Sequence, residues 1–143
     1  MKLPILAVVA AAIASNIGNA GQPTRRVLVT IGRTSPNNGR QMYTSYCASC
    51  HGVAGKGNGP VALALKKHPA DLSVLTRNNG GIFPGEHVGA VLQFGAAKSV
   101  RESCEMPVWG PILNEIDPAY AGQDMGTLRM INLKRYLESI QDK

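Results

Sequence analysis

Cys47-Ala48-Ser49-Cys50-His51 is the densest chemical signal in the chain. Two cysteines two residues apart, followed at once by histidine, form the attachment sequence for c-type haem. The spacing has a chemical reason. Each thiol can add to one vinyl group of the porphyrin, a helical turn sets the two sulfurs at the right separation, and the adjacent imidazole then lies beneath the iron as proximal ligand. Three other readings meet difficulties. A thioredoxin-like redox pair opens a helix in a βαβ setting and does not require His51. A structural zinc site needs four ligands, usually two spaced pairs, whereas His68, His87 and Cys104 are scattered singles. A simple disulfide or two buried thiols would account for Cys47 and Cys50 but not for the histidine that follows them.

Outward from that motif, the first twenty residues read as a secretory leader. Lys2 supplies a positive start, Leu3 to Ile17 is apolar and Ala-rich, and Gly18-Asn19-Ala20 offers small residues for cleavage. Pro4, Ser15 and Asn16 make the same stretch a poor spanning helix. The expectation is a periplasmic protein exported by a cleaved leader, with no membrane span in the mature chain. An uncleaved N-terminal anchor is the alternative. Loss of Lys2 with the leader takes the formal charge from +6 to +5. Such a balance suits association with an acidic partner. The cations are dispersed and not interleaved with aromatics, so nucleic acid is set aside.

Residues 21 to 38 read as an extension. Val27-Leu28-Val29-Thr30-Ile31 is a short apolar run, suited to a strand or to an arm covering a hydrophobic edge, and Ser35-Pro36-Asn37-Asn38-Gly39 breaks the chain after it. From Gly39 to Cys50 the pattern turns helical, with Met42, Tyr43, Tyr46 and Cys50 recurring at three- and four-residue steps. Thr127 to Gln141 has the same periodicity through Leu128, Ile131, Leu133, Tyr136, Leu137 and Ile140. Gly39 has no side chain, so the late helix can approach its backbone closely, with Tyr43 against Leu133 and Tyr136. A short helix is expected from Pro60 to Leu65, a turn at Asn78-Asn79-Gly80-Gly81, and a helix after Phe83-Pro84-Gly85-Glu86 with Val88, Val91, Leu92 and Phe94 inward. Asp71 is placed to cap the segment after Pro69-Ala70. Glycines 52, 55, 57 and 59 allow positive φ and close approach to a flat ligand. A phosphate loop would end in Gly-Lys-Ser/Thr, which this one does not.

On these residues the chain resembles the class I cytochromes c of the bacterial monohaem group. Gly39 lies eight residues before Cys47 and Tyr43 four before it, as in that family, and Leu133 and Tyr136 match its apolar and aromatic pair on the last helix. The resemblance spans about residues 38 to 142. It implies an all-α cytochrome c fold, with N- and C-terminal helices packed crosswise and short helices and long loops around one covalent haem c. The domain limits that follow are 1–20 leader, 21–38 extension and 39–143 cytochrome c domain. The family places a proline carbonyl on the other nitrogen of the proximal imidazole, which makes Pro60 the candidate for His51.

The resemblance also implies a distal methionine in a Met-Pro loop. Met106-Pro107 fits, while Met42, Met125 and Met130 fall in helical segments where packing explains them. The resulting site is Cys47 and Cys50 as thioethers, His51 and Met106 as axial iron ligands, and Trp109 packed nearby with its indole N–H seeking a polar partner such as a propionate. Soft thioether sulfur raises the potential, and two filled axial places suit outer-sphere electron transfer. The expected role is an electron carrier between redox proteins rather than an enzyme. A haem subunit of a multisubunit oxidoreductase and a ligand-binding or peroxidatic haem protein are the alternatives. Cys104 is the odd thiol, expected to be buried and inert, so the protein should be a monomer unless Cys104 links two chains.

Overall fold

The structure is a computed structural model, and it describes residues 32–95, 106–117 and 124–142. Helix α1 (Gly39–Tyr46) leads directly into a single turn, α2 (Ala48–His51). There follow α3 (Leu75–Asn78), α4 (Gly85–Phe94), α5 (Trp109–Glu115) and α6 (Met125–Ser139). Short 3-10 turns occupy Ala62–Ala64 and Leu72–Val74. The described residues contain no strand, and none of their helices is long and apolar enough to cross a membrane. The leader, the 27–31 run and Cys104 lie outside the described residues.

Local chemistry starts the main helices. Asn38 accepts from the Gln41 amide at 2.9 Å, and Asp124 accepts from the Thr127 amide at 3.3 Å, each satisfying a donor that the first turn leaves free. Gly52, at φ +77°, ends α2 and turns the chain away from the histidine. The expectation of a close helix crossing is met. A Cβ on Gly39 would run into the carbonyl oxygen of Asn132, so only glycine allows α1 and α6 to meet there. Around that crossing, Met42, Tyr43, Leu113 and Leu133 are essentially fully buried, with Val88, Leu92, Trp109 and Leu137 close behind. Each such aliphatic side chain contributes about 2 kcal/mol through removal from water. The rings of Tyr43 and Tyr136 lie 5.2 Å apart.

Two details differ from the sequence expectations. Ile131 and Phe94 point outward, at 37% and 75% exposure, because each lies two residues from an inward leucine (Leu133, Leu92), a spacing that turns a helical residue to another face. Helix α5 forms where Trp109-Gly110-Pro111 reads as a turn. Proline in a first turn forfeits no helical bond, since those amides have no partner within the helix. The described part of the extension, from Gly32 on, is a polar latch, while the 27–31 run expected to cover an edge lies outside the described residues. Thr34 is buried, meets the Tyr46 hydroxyl at 2.7 Å, and accepts from the buried Arg129 guanidinium through its carbonyl at 2.8 Å and its hydroxyl at 3.1 Å. Asn132 adds a bond from its side-chain amide to the Pro36 carbonyl at 3.0 Å.

Candidate haem site

The α1–α2 junction places Cys47, Cys50 and His51 on one bend of chain. The amides of Cys50 and His51 both donate to the Cys47 carbonyl, at 3.1 and 2.8 Å, so the motif closes on itself as a turn. Cys47 is buried, Cys50 is half-buried, and both are free thiols. Burial, with Cys50 beside it, pushes the Cys47 thiol up to about 12. Among the described residues no group of three or more histidine, cysteine or acidic side chains gathers around a common point.

His51 Nδ1 lies 2.9 Å from the carbonyl oxygen of Ala70. A carbonyl can only accept, so Nδ1 carries the proton and Nε2 is left with its lone pair. That tautomer is the one a metal-bound imidazole needs, and the bond orients the ring. The acceptor corrects the expectation for Pro60. Pro60 is exposed, and the bond to the ring comes from ten residues further along, in the Pro69-Ala70-Asp71-Leu72 segment. No side-chain signal marks a backbone carbonyl as an acceptor. Only the path of the loop selects Ala70.

The glycine loop supplies that path. Gly57 donates its amide to the His51 carbonyl at 2.8 Å and Gly59 to the Cys50 carbonyl at 3.0 Å. A Cβ on Gly59 would fall on the carbonyl of Ser49, so the loop lies directly against the backbone of the attachment turn. Tyr43 joins from α1, donating its buried hydroxyl to the Gly52 carbonyl at 2.6 Å. Burial raises that hydroxyl to about 12 and keeps it a donor at any ordinary pH. The two thiols, the imidazole with only Nε2 free, and the glycine cradle together fit a covalently held haem.

Met106 is half-buried against the apolar core, three residues ahead of α5. Trp109 is buried and stacks on Tyr46, the residue before Cys47, with ring centroids 5.5 Å apart. This stacking ties the start of α5 to the attachment turn. Of the other histidines, His68 meets the Pro69 carbonyl at 3.0 Å through Nδ1 and His87 is exposed on α4.

Residues 36–97 match the family model described as Cytochrome c, which supports a c-type cytochrome. The helical build of the described residues agrees, and the cofactor that goes with such a domain is covalently bound haem c. No curated protein and no solved structure matches the chain.

Proposed function

We propose that this chain is an exported monohaem cytochrome c that carries single electrons between redox proteins. Cys47 and Cys50 would hold the haem through thioethers, and His51 and Met106 would be its axial ligands. Bound haem c supplies the one-electron couple. The observation that carries the site is the 2.9 Å bond from His51 Nδ1 to Ala70, which leaves Nε2 as the only free ring nitrogen. The half-buried Met106, packed against the core cluster that includes Trp109 and Tyr46, supports the distal assignment. Thioether sulfur favours reduced iron, and two side-chain ligands leave small molecules no open position. Export by a leader at residues 1–20 to the periplasm follows from its charge and hydropathy pattern, with 21–38 as extension and 39–143 as the haem-binding domain. A net basic chain suits acidic redox partners.

The test is the visible spectrum of the protein, made with cytochrome c maturation machinery, before and after denaturation and with CO added to the reduced form. The expected outcome is haem that survives denaturation, a low-spin spectrum with a methionine-to-iron band when oxidised, and no response to CO. Rapid CO binding would retire the carrier reading in favour of a ligand-binding haem protein. Absence of haem would remove Cys47, Cys50 and His51 from the site.

A further inference from the structure

The Ala70 carbonyl that holds His51 belongs to an exposed residue with a small side chain, so something else must fix its position. The last described residues of the chain do this. Beyond the end of α6, Gln141 spreads its amide over two segments. Its Nε2 donates to the Leu72 carbonyl at 2.7 Å and to the Leu137 carbonyl at 2.7 Å, while its Oε1 accepts from the Thr76 amide at 2.9 Å. Asp142 follows. Its amide donates to the Ser73 carbonyl at 2.7 Å, and its carboxylate takes the Lys56 ammonium at 2.5 Å. Lys56 comes from the glycine loop and also donates to the Ser73 hydroxyl at 2.7 Å. That hydroxyl gives its proton to Asp71 at 2.6 Å, next to Ala70. The Leu72 amide closes the ring on Gly55 at 2.6 Å. Residues 71 to 76 are thus clasped between the chain's end and the loop that follows His51.

We propose that Gln141 and Asp142 are positioning residues for the proximal histidine, setting through the 71–76 segment how strongly the Ala70 carbonyl holds the His51 ring. The inference rests on the reading of His51 as iron ligand. A well-placed carbonyl draws the Nδ1 proton and makes the ring a stronger donor, which favours oxidised iron. Loosening the clasp lengthens that bond, weakens the donor and raises the reduction potential. General loosening of the fold has the opposite sign, because water reaching the haem stabilises the oxidised, more highly charged form and lowers the potential.

The experiment compares holoprotein of the native sequence with Gln141→Ala, Asp142→Asn and, as a control on an exposed residue that bonds only within its own helix, Ser139→Ala. Midpoint potential and exchange of the His51 Nδ1 proton, followed by proton NMR in the reduced state, are the readouts. The expected result is an upward shift in potential, larger for Gln141→Ala than for Asp142→Asn, with exchange roughly fivefold faster and Ser139→Ala unchanged. An unchanged potential and exchange rate, or a fall in potential, would overturn the inference. A native-sequence protein whose low-spin spectrum lacks a histidine ligand would instead overturn the site reading, before any variant is compared.

Discussion

The surroundings of His51 and of Met106 are built from different materials. The His51 side is a polar lattice, in which backbone carbonyls and amides of the glycine loop, the 69–76 segment and the chain's end interlock around one imidazole. The Met106 side shows packing. Met106 lies against the core, Trp109 three residues on stacks on Tyr46, and Val108 sits close to Gly95 at the end of α4. Hydrogen bonds are directional and fix a ring's orientation, whereas dispersion contacts hold a side chain in place but let it shift. The His51 ring is therefore fixed in orientation, while the Met106 side chain is held in place but free to shift.

The largest effects should separate the two ligands. His51→Ala removes the group around which the lattice closes, and the yield of mature low-spin holoprotein should collapse. Met106→Ala should leave haem covalently attached, lower the potential and open the iron to CO. Equal yields from the two variants would break the contrast, and an unchanged spectrum in Met106→Ala would remove that residue from the iron.

The same contrast sharpens at two glycines. A Cβ on Gly59 meets the backbone of Ser49 and Cys50, which cannot move without opening the attachment turn. Gly59→Ala should therefore destabilise the protein by about 2–3 kcal/mol in urea unfolding of the holoprotein. Near Met106, the nearest atoms to a Cβ on Gly110 are the end of the Gln93 side chain, which is exposed and free to swing aside. Alanine also favours helix over glycine by about 0.8 kcal/mol, so Gly110→Ala should be neutral to slightly stabilising. Similar losses at both positions would mean that the surroundings of Met106 are as tightly specified as those of His51.

What could be read from the sequence was whatever side chains announce. Cys47, Cys50 and His51 declare a chemistry at fixed spacing, and Gly39 with Tyr43, Leu133 and Tyr136 declares a crossing, which α1 and α6 then make. The identity of the His51 acceptor was hidden, because Ala70 is chosen by its carbonyl and every residue has one. Helix α5 was hidden by Gly110 and Pro111, residues that interrupt helices except in the first turn, where they sit. Arg129 was hidden by its charge. It lies on the inward stripe of α6 at 1% exposure, held by Thr34 of the extension, and a basic residue at such a position reads as solvent-facing. Its second terminal nitrogen finds no acceptor among the described residues.

The smallest effect concerns pH and the clasp. Lys56, donating to Asp142, holds that carboxyl below its ordinary value of 3.8, and the Ser73 hydroxyl and amide do the same for Asp71. A carboxyl with a depressed folded-state value contributes stability that is fully present above its unfolded value and disappears as pH falls through the folded one. Asp142→Asn removes one of the two groups. The gap in melting temperature between native sequence and variant should stay constant from neutrality down to about pH 5, narrow below about pH 4, and close under stronger acid. The exposed ion pair keeps the gap small, and added salt should shrink it further. A gap independent of pH would assign the clasp to the backbone bonds of Asp142 and to Gln141 alone. The proximal lattice would then hold without its charges.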